Sequence, residues 1–146
     1  MTLNLGPGVG QHRGALAEAQ IDLRYVEPAD RIAVAAIERI AATAIVPGTT
    51  ARVEIRGEFK PLVQDEASAA LFDTYVGAAR DAGLTVAGEF SGGCADAGFT
   101  ASVGCPTICA VGPVGGKAHS PEEYMEVDSL VPRAQSLFLA IGRLAA

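Results

Sequence analysis

The sequence predicts an α/β protein, and three patterns in it lead there. Two stretches alternate apolar and polar residues with the period of a half-buried strand, Ala15–Tyr25 and Arg52–Phe59. Three longer stretches repeat apolar residues at helical spacing. Between helices lie compact apolar runs, Leu84–Ala87 and Thr107–Val111, of the kind found in strands buried on both faces. The 146 residues leave room for one domain, or for two half-domains that each need something more to be complete.

Taken in order, Leu3 and Leu5 begin a short strand that breaks at a Gly/Pro-rich turn, where His12 is read as a turn residue. In Ala15–Tyr25, Leu16, Ala19, Ile21 and Leu23 are apolar and Glu18, Gln20, Asp22 and Arg24 polar, alternating with one irregularity near Ala17–Ala19. Pro28 sits where a helix can start, and Ile32, Ala36, Ile37 and Ile40 carry that helix to about Thr43, before Pro47-Gly48. Arg52–Phe59 then alternates again, so the first half reads β-β-α-β. After Lys60-Pro61, Asp65 caps a helix that carries Leu71, Phe72, Tyr75, Val76 and Ala79 and ends at Gly83. A short helix is expected over Ala97–Val103, and a long amphipathic one over Ser129–Ala145. Both halves look incomplete: the first sheet lacks a balancing helix, and the second lacks further parallel strands.

Hydrophobic residues make up 49% of the chain and charged ones 19%, which supplies a core and excludes disorder. The net charge of −6, with no run of Lys or Arg, argues against nucleic acid or anionic lipid as partner. No signal peptide and no apolar run of about 18 residues is seen, so a soluble, cytoplasmic chain is expected. Cys94, Cys105 and Cys109 have no zinc-type spacing and are read as buried free thiols of a reducing compartment.

The segment with the most chemistry is Gly112–Leu130, GPVGGKAHSPEEYMEVDSL, a glycine-rich loop that delivers His119 and turns at Pro121 into acidic residues. A histidine on such a turn beside carboxylates is how metal-dependent hydrolases often present a ligand. Over Ser91–Ala134, the elements Gly92-Gly93, Asp96, Phe99-Thr100, Gly104-x-Pro106-Thr107, Gly112-Pro113 and His119-Ser120-Pro121-x-Glu123-Tyr124 stand at consistent spacing. Together they resemble the C-terminal signature of the zinc-dependent peptidase family of glutamate carboxypeptidase, acetylornithine deacetylase, succinyl-diaminopimelate desuccinylase and aminoacylase. The first half, AEAQIDLRY, a helix and VEIRGEF, is similar to the later part of that family's inserted β-α lid, which also forms its dimer interface.

The resemblance implies a partial lid/dimerisation domain over residues 1–60. Residues 61–146 would form the C-terminal part of a phosphorylase/hydrolase-like α/β catalytic domain. It implies hydrolysis of a peptide or N-acyl amide beside a free carboxylate, with two bridged zinc ions and a glutamate base. Carried over by position, His119 matches the last metal ligand and Arg56 the arginine that grips the substrate carboxylate, a task for which a planar guanidinium is suited. Arg24 matches a lid arginine.

The departures are specific. Cys94 and Ala95 replace a glycine and a serine or threonine, Gly98 stands where asparagine is common, and Gly8–Gly14 lacks the asparagine of an Asn-x-x-Pro segment. The family's other metal ligands and its general base have no counterpart in the chain. Asp96 is read as a helix cap rather than a ligand. The chain is therefore expected to be a C-terminal fragment, silent alone and not binding zinc tightly, whose partner is the missing N-terminal segment. The alternative is a non-enzymatic dimerisation module, a homo-oligomer built on its incomplete sheet. A small hydrolase with Cys94 or Cys105 as nucleophile is disfavoured, since neither has a histidine near it in sequence.

Overall fold

The computed structural model describes residues 2–5 (backbone only), 17–43 and 45–146. Strand β1 (Thr2–Leu5) pairs antiparallel with β2 (Ala17–Gln20), Thr2 opposite Gln20 and Leu5 opposite Ala17. The Gly8–Gly14 turn and His12 lie outside the described residues. A 3-10 turn at Pro28–Arg31 leads into α1 (Ile32–Ala41), where proline's fixed φ and missing N–H suit the first turn. Next come α2 (Glu66–Asp81), α3 (Ala97–Ser102), a hairpin of β3 (Gly115–Gly116) and β4 (Tyr124–Met125), and α4 (Leu130–Leu144). The chain is thus mixed helix with few strands, all of them antiparallel among the described residues.

Local chemistry fixes the helices. Asp65 accepts the Ser68 N–H at 2.7 Å and caps α2, as its position predicts. That bond also holds the Asp65 carboxyl below its ordinary range. At the other end Gly83 takes φ +80°, with Gly83 N–H on the Arg80 carbonyl at 3.0 Å and Leu84 N–H on that of Ala79 at 2.8 Å. This paired closure needs a left-handed residue, which glycine supplies without a Cβ penalty. Gly104 (φ +81°) closes α3 in the same way, through Ala101 and Thr100.

The core sits where α2 meets α4. Tyr75, Ala78, Ala79 and Ser68 of α2 and Ser136 and Ala140 of α4 are buried, and their small side chains let the two helices approach closely. Val86, Ile108, Val111 and Leu137 pack around them. The Tyr75 hydroxyl accepts from Arg133 Nη1 at 3.1 Å, and the Arg143 guanidinium pairs with Asp81 beside it. Arg133 Nε is buried with no acceptor among the described residues. The opposite side of α4 is bare: Val131, Phe138 and Ile141 are 63%, 78% and 64% exposed.

Four expectations are corrected here. Arg52–Phe59, Leu84–Ala87 and Thr107–Val111 are not strands, because none finds a ladder partner among the described residues. Alternation supplies faces, but a strand also needs a neighbour to bond to. The strand expected over Ala15–Tyr25 is confined to Ala17–Gln20 where it is described. Cys94, Cys105 and Cys109 are free but exposed rather than buried, since the apolar run beside Cys105 and Cys109 is covered on one side only. Asp96 occupies the N-cap position of α3 yet its side chain makes no cap bond.

Candidate functional site

The organising segment folds as a hairpin with His119 near its tip. β3 is all glycine because β4 lies against it: a Cβ on Gly115 would overlap the Tyr124 carbonyl oxygen, and one on Gly116 would meet Tyr124 Cε1 at 2.8 Å. The base of the hairpin is tied to the start of α4. Glu126 N–H donates to the Val114 carbonyl at 2.8 Å, Val114 N–H to Ser129 Oγ at 2.8 Å, and Ser129 Oγ to the Glu126 carbonyl at 2.6 Å. The tip is therefore referenced to the α2–α4 core through a short bonded path.

Within the loop, residues 117–123, two side-chain-bearing residues take left-handed backbone: Lys117 at φ +55° and His119 at φ +66°. Histidine is among the few residues that tolerate this region. Ser120 closes the turn, donating from both N (3.1 Å) and Oγ (2.7 Å) to the Lys117 carbonyl. Glu122 N–H returns a bond to Ser120 Oγ at 3.2 Å, and Glu123 N–H donates to the Ser120 carbonyl at 3.1 Å. His119 N–H donates to Glu123 Oε2 at 3.1 Å. His119 and Glu123 are both exposed.

Arg56 and Arg24 stand elsewhere. Arg56 Nη2 pairs with Glu18 at 3.2 Å and its Nε lies 4.0 Å from Glu54, with the guanidinium side chain 64% exposed. Arg24 donates from Nε at 3.2 Å and Nη2 at 3.0 Å to the same oxygen, Asp22 Oδ2, and from Nη1 to the Gly92 carbonyl at 3.3 Å. That pairing lowers the Asp22 pKa, chiefly through its hydrogen bond to Arg24. Arg24 thus ties the segment after β2 to the Gly92-Gly93 loop. No hydrogen bond joins any two of His119, Arg24 and Arg56 among the described residues.

Glu58, in the alternating Arg52–Phe59 stretch, is a junction of several donors. Arg31 grips it bidentately, Nε to Oε1 at 2.6 Å and Nη2 to Oε2 at 3.0 Å, while Lys60 Nζ and the Tyr25 hydroxyl donate to Oε1 at 3.1 and 3.0 Å. The Arg31 hydrogen bond, then that of Lys60, outweigh partial desolvation and lower the Glu58 pKa to about 2. The signal was present as Glu58-x-Lys60, but Arg31 lies far away in sequence and no local pattern names it. The neighbouring cleft, ≈ 130 Å³ and lined by Pro28, Lys60, Pro61, Val63, Ala101 and Ser102, is smaller than the roughly 300–1,000 Å³ of ordinary ligand pockets and contains none of the candidate residues.

Gly98, one of the departures, is explained by packing. A Cβ there would overlap the Lys60 carbonyl oxygen, so asparagine does not fit where α3 lies on the Lys60 backbone. Phe99 beside it packs on Phe59, ring centroids 5.7 Å apart and tilted by 46°.

The hairpin thus presents one histidine on a loop bonded at its base to the start of α4. The family model described as Peptidase family M20/M25/M40 matches residues 3–143, and the chain belongs to that family. Neither the curated proteins nor the solved structures gave a match. Membership makes the chain part of a metallopeptidase-type hydrolase family, one that is generally zinc-dependent. The residues present do not fit a zinc ion by themselves: among the described residues no group of three or more His, Cys, Asp and Glu side chains is gathered, and a catalytic zinc takes about three protein ligands. No helix among the described residues is long and apolar enough to cross a membrane.

Proposed function

We propose that this chain is the C-terminal part of a zinc metallopeptidase that hydrolyses peptide or N-acyl amide bonds beside a free carboxylate, and that it is inactive alone. The observation that carries this reading is His119, held on a pre-shaped hairpin inside the family match, with no set of donors around it among the described residues. In this reading His119 supplies one ligand to a site completed by the N-terminal segment of the same enzyme. Arg56, exposed and already paired with a carboxylate, is the grip for the substrate carboxylate, and Arg24 holds the lid side of the cleft. Residues 1–60 act as the partial lid/dimerisation domain and 61–146 as the partial catalytic domain.

The test is complementation. Mixing the chain with the separately produced N-terminal segment should generate hydrolysis of N-acyl amino acids that a chelator abolishes. His119→Ala should remove it, and Arg56→Ala should raise KM more than it lowers kcat. Failure of the two pieces to associate would defeat the proposal.

A second reading, a dimerisation module without catalysis, is favoured by the bare face of α4 at Val131, Phe138 and Ile141. Light scattering separates them: a stable homodimer that ignores the N-terminal segment supports the module, and a monomer that captures it supports the enzyme part. The three free cysteines suit a reducing, cytoplasmic setting for either.

A further inference from the structure

We propose that Glu123 is the positioning residue for the His119 imidazole: its carboxylate holds the His119 backbone in the left-handed conformation that aims the side chain. The importance of that aim rests on the role given to His119 above, while the conformational claim concerns this chain's own residues and no bound group.

A left-handed backbone is disfavoured for a side-chain-bearing residue, whose Cβ crowds the following carbonyl oxygen. Two residues of one short loop, Lys117 and His119, adopt it, so the loop bonds must offset that cost. Four of the bonds act on other residues. Ser120 N–H and Oγ both meet the Lys117 carbonyl and secure the left-handed Lys117, while Glu122 N–H to Ser120 Oγ and Glu123 N–H to the Ser120 carbonyl shape the turn after it. Among the described residues, the bond made by the His119 amide runs to Glu123 Oε2, at 3.1 Å. Ser120 and Glu123 stand three apart, as in the Ser-x-x-Glu box that closes helix starts, but the carboxylate is displaced by one residue onto the amide of His119.

Glu123 is in turn fixed from behind. It immediately precedes β4, whose Tyr124 ring lies against Gly116 and whose Met125 pairs with Gly115. The carboxylate therefore starts from a register set by the hairpin, and its reach back to residue 119 defines how the histidine leaves the loop. Glutamine retains an acceptor oxygen at the same reach; alanine retains none.

The experiment is amide hydrogen exchange and the HN–Hα coupling of His119, measured by NMR on the isotopically labelled 146-residue chain, its Glu123→Gln variant and its Glu123→Ala variant. The His119 amide should exchange about tenfold faster in Glu123→Ala than in the unaltered chain, the loss of one charge-assisted bond. Its coupling should leave the left-handed value, while Glu123→Gln keeps that coupling with intermediate protection. The amides of Ala78 and Ala140 report whether the core is intact. If Glu123→Ala unfolds, the Gln variant decides, since right-handed His119 in a folded Gln variant would contradict the proposal. Unchanged His119 exchange and coupling in Glu123→Ala would also overturn it. A zinc-independent readout keeps this outcome separate from complementation: a Glu123-dependent His119 with no activity on mixing refutes the peptidase reading and leaves the positioning intact.

Discussion

At the scale of single residues, the charges that matter most are paired in ways with measurable pH consequences. Glu58 has its pKa lowered from 4.5 to about 2 by Arg31, Lys60 and Tyr25. A depressed carboxyl contributes stability that is complete above its ordinary pKa and disappears as pH falls through the folded value. Between pH 4.5 and about 2, then, the unaltered chain should lose stability faster than Glu58→Gln, whose denaturation midpoint starts lower at neutral pH. The two curves should meet near the acid end; parallel curves in urea titrations across this range would contradict the junction. Gly98 supports a second prediction. Because a Cβ there overlaps backbone rather than a flexible side chain, Gly98→Ala should destabilise the fold by about 1–3 kcal/mol in denaturant unfolding, by pushing α3 off Lys60.

At the scale of elements, helices were legible, while of the expected strands only β1 and part of the Ala15–Tyr25 stretch, β2, are strands. Asp65, the apolar spacing through Tyr75 and Gly83 marked α2 within two residues at its ends, because caps and 3.6-residue periodicity are written locally. The same holds for α4, and for α3 with Gly104 just past its end. Arg52–Phe59 carries the alternation of a strand, yet whether it pairs depends on a neighbour that no local pattern specifies. The β3–β4 hairpin was hidden for the opposite reason. Its strands are two residues each, too short for any period, and only the requirement for glycine against Tyr124 betrays them. The cap can be tested directly: Asp65→Ala should cost about 0.5–2 kcal/mol and increase fraying of the first turn of α2, read by exchange of the Ser68 amide.

At the scale of the whole chain, the sequence carried the family through the fixed positions of Ser91–Ala134, and the family match extends across residues 3–143. The site was only partly legible. The motif drew attention to His119 and its loop, but its left-handed backbone and the bond from its amide to Glu123 had no mark in the sequence pattern. Arg24 and Arg56 each have one partner two residues away, Asp22 and Glu54, which alternation alone allows, and one that only long-range packing supplies, the Gly92 carbonyl and Glu18. The bare side of α4 and the 52–59 segment, which has no ladder partner among the described residues, belong to this scale too: both carry amphipathic patterns that anticipate neighbours.

A hairpin with one imidazole is either a whole metal centre or a contribution to one. Calorimetric titration of the purified chain with zinc, with N-acyl amino acid turnover followed alongside, measures this directly. Zinc uptake should be weak and substoichiometric, with no turnover until the N-terminal segment is added. Tight stoichiometric binding with chelator-sensitive hydrolysis by the chain alone would contradict this reading.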